Sequence, residues 1–266
     1  MEYLLMYAEG TDAQPYDPTR DNIAEWVADI VARGVSEVGE RIRPGQDATS
    51  VRVRDGRTLV TEGPFTEAKE WIGGFDIIDC ADLDEAIEIA SRHPVAHFGT
   101  VEVRPFLRWP DADPGSRVVP DAFHQRTEAG KRYVMFVCVD PTGESDGEDD
   151  PDAWVREMDG RGVRLFGEAL QPPTDATQVR SRGGKVLVTD GPFTESKEWI
   201  AGVDLLEVSG LPEAIEVAAA HPMARRGLIV LSPLWPLDVH DDHVARAERE
   251  APERDVRTEP SVAVAR

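Results

Sequence analysis

Asp190, Glu195, Lys197, Glu198 and Trp199 fall within ten positions around a Gly191-Pro192-Phe193 turn. Those residue types suit acid–base chemistry on a small molecule. Asp190 could take a proton from an activated C–H or O–H group, while the Lys197 ammonium holds an anion or stabilises an enolate. Glu168 is a second candidate base, because it follows Gly167 inside an apolar strand pattern where a carboxylate is unexpected. Burial there would perturb its ionisation, whereas an edge position facing water would leave it ordinary. Arg180 could fork onto a carboxylate ligand or onto the acids of the turn. Asp190, Glu168 and Lys197 are therefore the candidate catalytic residues, and Arg180, Trp199 and Glu195 the candidate substrate contacts. The plainer alternative is a rigid corner whose Glu and Lys residues form a solvated face with weak ion pairs.

The corner occurs twice. Thr61 to Gly74 and Thr189 to Gly202 are identical at 11 of 14 positions, 128 residues apart. The same offset carries Trp26 onto Trp154, Arg52 onto Arg180 and His93-Pro94 onto His221-Pro222. A repeat of this length is a duplicated domain, since each copy is long enough to bury its own core. Copy one adds Glu62, Arg52, Lys69 and Trp71 as candidate substrate contacts, and Glu40 in the place of Glu168. Glu62 stands where copy two has Asp190. His93 and His221 close a helix directly before proline, where the helix dipole and free carbonyls account for an imidazole.

Composition narrows the classes of partner. Lys and Arg total 29 against 51 Asp and Glu, a formal net charge of −22. Such a surface repels phosphate backbones and anionic headgroups, which argues against nucleic acid or membrane as a partner. No apolar run reaches a membrane span, and Met1 to Tyr7 lacks the basic segment and cleavage site of a signal peptide. A cytoplasmic location is expected. Cys80 and Cys138 are not equivalent in the two copies and read as small buried hydrophobes. No spacing of His, Cys, Asp or Glu resembles a metal site and no Gly-rich phosphate loop occurs, so no cofactor is expected.

The elements that must position these residues repeat as well. Tyr3 to Ala8 and Tyr133 to Val139 are strand-length apolar runs. Asp17-Pro18 offers a cap and first turn for a helix with Ile23, Trp26, Val27, Ile30 and Val31 on one face, ended by Gly34. Asp150-Pro151 begins a shorter version before Gly160. Strands follow at Val35 to Ile42 and Val163 to Leu170, then hairpins around Asp55-Gly56 and Gly183-Gly184. Another strand, a helix capped in copy one by Asp82 with Glu85, and a last strand complete each copy. The order matches the α+β, ferredoxin-like βαββαβ plan with an inserted hairpin. One face of such a sheet is open, so the two copies are expected to stack as an intramolecular pseudo-dimer, an α/β barrel of the dimeric type. The expected boundaries are a first domain at 1–107, a Pro-, Asp- and Gly-rich surface linker at 108–130, a second domain at 131–236 and a flexible tail at 237–266.

At the corner the chain resembles a known family. Thr189-Asp190-Gly191-Pro192-Phe193-Thr194-Glu195-Ser196-Lys197-Glu198 is similar to the DGPF signature of YCII-related (YciI-like) proteins. Glu168-Ala169-Leu170-Gln171-Pro172-Pro173 and Val101-Glu102-Val103-Arg104-Pro105 support the likeness, which covers nearly all of both copies. The resemblance implies ferredoxin-like domains that pair through their sheets, and a small-molecule enzyme with an active-site histidine and aspartate and no established substrate. It also implies a link to extracytoplasmic-function sigma factors, and hence the alternative of a non-catalytic regulatory module with a protein partner. The family's histidine belongs to the first helix, and neither Asp17 to Gly34 nor Pro151 to Gly160 contains one. The expected function is binding of a small acidic or carbonyl compound, with cofactor-free acid–base chemistry of the lyase or isomerase kind.

Overall fold

The computed structural model describes residues 1–9, 17, 21–63, 71–108, 117–125, 130–139, 151–192 and 198–235. Copy one consists of β1 (Glu2–Glu9), α1 (Ile23–Ala32), β2 (Ser36–Ile42), the hairpin β3 (Thr49–Arg54) and β4 (Arg57–Glu62), β5 (Trp71–Asp79), α2 (Leu83–Arg92), α3 (Pro94–Phe98) and β6 (Thr100–Pro105). Copy two repeats it with β7 (Lys131–Val139), α4 (Pro151–Arg161), β8 (Arg164–Ala169), the hairpin β9 (Thr177–Arg182) and β10 (Lys185–Asp190), β11 (Trp199–Val208), α5 (Leu211–Ala220) and β12 (Leu228–Trp235).

Within each copy the main strands lie side by side as β6-β1-β5-β2 and β12-β7-β11-β8. Every pairing is antiparallel, in the ferredoxin-like arrangement of an α+β domain. The copies join at two seams. Ile42 pairs with Leu234 at one, and Phe106 bridges Leu170 at the other, so the eight main strands close on themselves. The period of two along each strand then separates three cores. In β1, Leu4 and Met6 point into the space shared by both sheets, together with Phe75, Phe136 and Leu205. Tyr3, Leu5 and Tyr7 point the other way, onto Trp26, Ile30 and Ile89 of the copy-one helices. Trp154, Met158 and Val217 do the same for copy two.

The inserted hairpins are exchanged. β9 pairs with β6 of copy one at Val101↔Val179, and β3 pairs with β12 of copy two at Ile229↔Val51. Val179 is buried in the helix-side core of copy one and Val51 in that of copy two. Arg182 ties the exchange down by donating to the carbonyls of Ala96 at 2.6 Å and Gly99 at 2.9 Å. Its counterpart Arg54 donates to Ala224 at 2.9 Å and Gly227 at 3.1 Å. Neither copy completes its sheet without the other.

Local departures from the sequence expectation have physical causes. α1 starts at Ile23 rather than at Pro18, because Asn22 caps it by accepting the Ala24 N–H at 3.1 Å. Asp17 instead gives its N–H to the Asp21 carboxylate at 2.7 Å. α4 runs through Gly160, where glycine is merely a weak helix former, and the left-handed turn falls at Gly162 (φ 70), the counterpart of Gly34 (φ 70). In the described part of the connecting segment, 117–125, Arg117, Pro120, Asp121 and Ala122 are exposed while two valines anchor the chain. Val118 and Val119 are buried in the core shared by the sheets, Glu2 accepts the Val118 N–H at 2.9 Å, and Arg117 pairs with Glu37. The expected tail lies outside the described residues. No described helix is long and apolar enough to cross a membrane.

Candidate functional site

The described end of the copy-two corner joins the two copies. Arg52, on β3 of copy one, forks onto Glu198 of copy two with Nη–Oε distances of 2.7 and 2.8 Å. Gly191 (φ 95) gives its N–H to the Ala176 carbonyl at 2.9 Å, and Gln178 Nε2 donates to the Pro192 carbonyl at 2.9 Å. Asp190, at the end of β10 opposite Thr177, is exposed, as is Glu62 at the end of β4. Arg180 donates through Nε to Thr100 Oγ1 at 2.7 Å and does not meet Glu168. Trp71 and Trp199 are half-buried at the starts of β5 and β11. Glu195, Lys197 and Lys69 lie outside the described residues.

Glu168 and Glu40 are half-buried and each sits beside a carboxyl that is buried. Asp76 of β5 lies opposite Gly39 of β2, and Asp204 of β11 lies opposite Gly167 of β8. The carboxyl occupies the volume a side chain on that glycine would need. A Cβ on Gly39 would stand 2.2 Å from Asp76 Oδ1, and one on Gly167 2.1 Å from Asp204 Oδ1. That is why glycine precedes each glutamate.

In copy one, Asp76 accepts the phenol O–H of Tyr7 at 2.6 Å. Burial pushes its pKa up to about 8; the Tyr7 bond lowers it in part and the nearby Glu40 charge raises it. The same burial, with Asp76 beside it, raises the Tyr7 phenol well above its ordinary value. Tyr7 stacks on His93 with ring centroids 3.9 Å apart, and Trp26 meets that imidazole edge-on at 4.5 Å. His93 Nδ1 accepts the Val95 N–H at 3.1 Å, which leaves the ring proton on Nε2. Desolvation drives its pKa down to about 3, so His93 is a neutral cap for α3. The helix-dipole account, which favours a cation, does not hold. Next in line, His97 Nδ1 lies 2.9 Å from the buried carboxylate of Asp21.

Copy two handles the same position differently. Asp204 is held by Arg164 Nε at 2.6 Å, and Arg164 also donates to the Gly167 carbonyl at 2.6 Å. Desolvation raises the Asp204 pKa, and the Arg164 charge and bond oppose that rise. By strand register Arg164 replaces Ser36 and Val137 replaces Tyr7. His221 is neutral like His93, lowered to about 4 chiefly by burial, and accepts the Met223 N–H at 3.1 Å. Among the described residues no group of three or more His, Cys, Asp or Glu side chains could hold a metal ion.

Attention to the glutamates in sequence overlooked Asp76, Tyr7, His97 and Asp21. The available signal was an aspartate between apolar neighbours in both copies, Phe75-Asp76-Ile77 and Val203-Asp204-Leu205, with a glycine on the adjoining strand.

Comparison with known proteins agrees with the duplication. An uncharacterized protein of Rhizobium meliloti (strain 1021) is 45% identical over 67 residues, which are 24% of this chain and 54% of that protein. The chain thus spans about half the length of the curated relative it matches. A crystal structure named "Putative Chlorite dismutase" aligns over 90% of this chain and 96% of its own, at 10% identity. Its TM-score of 0.34 is too low to carry an argument. The model of the YCII-related domain matches at residues 1–110 and again at 125–238, and with one match on each copy, the chain belongs to the YCII-related family as a tandem duplication.

Proposed function

We propose that the protein binds a small acidic or carbonyl compound on the helix-facing side of the copy-one sheet and moves a proton on it without a cofactor. The observation that carries this reading is the buried Asp76 carboxyl, held by a neutral phenol where its twin in copy two has a guanidinium. A carboxyl raised to about 8 is largely protonated at neutral pH, so it can donate a hydrogen bond or a proton to a carbonyl oxygen. Gly39 is exposed and has no side chain over that carboxyl, which gives a ligand an approach across β2. His93 Nε2–H is a second donor of fixed tautomer, and His97, oriented by Asp21, is the proton acceptor of the arrangement. Asp190 and Lys197 at the corner, with Glu168 on β8, remain the alternative machinery.

A thermal-shift series with small acids, lactones and aldehydes separates the two locations. A compound that stabilises the wild type and Asp190→Asn but not Asp76→Asn places binding at the copy-one sheet. The reverse pattern returns the site to the corner and refutes this one.

A further inference from the structure

β10 is the outermost strand of the sheet and, among the described residues, pairs on one side only, with β9. All six of its residues are exposed. They include three consecutive apolar ones, Val186 at 50%, Leu187 at 47% and Val188 at 49%. Side chains alternate along a strand, so both faces of this edge are apolar. Native proteins normally blunt such an edge with charge, proline or a cover, since its free N–H and C=O groups are a template for another strand.

The hairpin geometry fixes which groups are free. Gly183 (φ 57) and Gly184 (φ 75) form a two-residue turn closed by the Arg182↔Lys185 pair. Hydrogen-bonding directions alternate from there, so Lys185, Leu187 and Thr189 address β9 while Val186, Val188 and Asp190 point outward.

We propose that β10 pairs antiparallel with β10 of a second copy of this chain, about a two-fold axis at Leu187. Val186 then lies opposite Val188 of the second copy and Leu187 opposite its own twin, so each apolar residue meets an apolar one. The register is allowed, because Val186 and Val188 both present their backbone groups outward. Lys185 comes level with Thr189 of the second copy, next to its Asp190, whereas a parallel alignment would place like charges together. The contact continues a principle already present in the chain, since β9 is itself added onto β6 from the other half. β4 is the weaker candidate: it has Thr58 in place of Val186, and the same alignment would set Thr58 against Val60. A strand pair alone buries less than the roughly 1,200–2,000 Å² of a standard stable interface, so the association is weak and concentration-dependent. The net charge of −22 on each chain opposes it, and added salt relieves that repulsion.

Sedimentation velocity on the full chain, over a range of protein and salt concentrations, tests this. The wild type should form a dimer whose fraction rises with protein and with NaCl. Leu187→Lys should weaken it at least about tenfold, roughly 1.4 kcal/mol, and Leu59→Lys on β4 should leave it unchanged. Should Leu187→Lys disturb the hairpin, Val188→Pro provides the second arm, because it deletes one outward N–H while proline is tolerated on an edge strand. A wild type that stays monomeric throughout, a dimer indifferent to both β10 variants, or one equally sensitive to Leu59→Lys would overturn the proposal.

Discussion

Asp76 and Asp204 hold the same place in the two copies, each buried, each facing a glycine on the adjoining strand, each neighboured by a half-buried glutamate. They differ in what answers their charge. Copy two brings in the guanidinium of Arg164, while copy one brings in the Tyr7 phenol and leaves Ser36 where the cation would be. A buried carboxyl can be made tolerable by a counter-ion or by keeping its proton. Only the second solution leaves a proton to exchange. Duplication thus produced one half whose buried acid is locked and another whose acid is poised, within an otherwise repeated frame.

The harshest test removes the lock. Arg164→Met strands Asp204 without its cation, and the expected loss is about 3–5 kcal/mol in urea denaturation at pH 8. Asp204→Asn in the same background should recover most of it. A loss within experimental scatter would mean that the two aspartates are not differently supported after all.

Asp76→Asn should act with the opposite sign. Burial raises the folded-state pKa of Asp76 to about 8 from the ordinary carboxylate value of 3.8. Its contribution is therefore complete below about pH 4 and is lost as pH rises towards 8. At about 1.4 kcal/mol per pKa unit, the neutral amide should gain on the order of 2–4 kcal/mol over wild type at pH 8, and little at pH 4. His93 and His221 work against this trend, because their folded pKa values are lowered to about 3 and 4. Their contribution is present above about pH 6.5 and is lost as pH falls towards those values. Wild-type stability should therefore peak near pH 6.5, declining towards pH 8 through Asp76 and, because two histidines outweigh one carboxyl, declining again at lower pH, whereas Asp76→Asn should show no alkaline decline and a steeper acid loss. Thermal denaturation across pH 4–9 reads both slopes.

The two glycines sharpen the comparison on a smaller scale. Alanine at Gly39 meets chiefly the movable carboxyl of Asp76, but alanine at Gly167 also meets the Val203 carbonyl at 2.6 Å. Both changes should destabilise by about 1–3 kcal/mol, with Gly167→Ala the worse. Adding Asp76→Ala should rescue Gly39→Ala, and adding Asp204→Ala should rescue Gly167→Ala only in part. Equal rescue in both would contradict the backbone clash.

The sequence carried the repeat, the strand order and the stacking of the two sheets, because period-two alternation and the Asp55-Gly56 and Gly183-Gly184 turns are local signals. It did not carry the exchange of hairpins. A hairpin's turn and register are written in its own residues, but nothing in Thr49 to Arg54 names β12 as its neighbour. The buried aspartates were missed for a related reason. A carboxyl inside a strand is legible, yet its burial depends on Gly39 and Gly167, which reach it across the sheet. The Glu67 to Trp71 and Glu195 to Trp199 clusters drew attention to chemistry, and the one described glutamate among them, Glu198, turned out to bind the other copy through Arg52.

That ion pair yields the mildest prediction and separates the joint from the candidate site. Arg52 and Glu198 are partly exposed, so water screens their attraction, although the geometry is bidentate. A double-mutant cycle on Arg52→Ala and Glu198→Ala should return a coupling of about 0.5–1 kcal/mol that shrinks as salt is added. Ligand stabilisation measured on the same variants should follow wild type if binding resides at Asp76, since the pair ties β3 to the copy-two corner and touches neither Tyr7 nor His93. Loss of ligand response with the fold intact would instead make the joint part of the site, and Asp76 and Asp204 would then differ in stability alone.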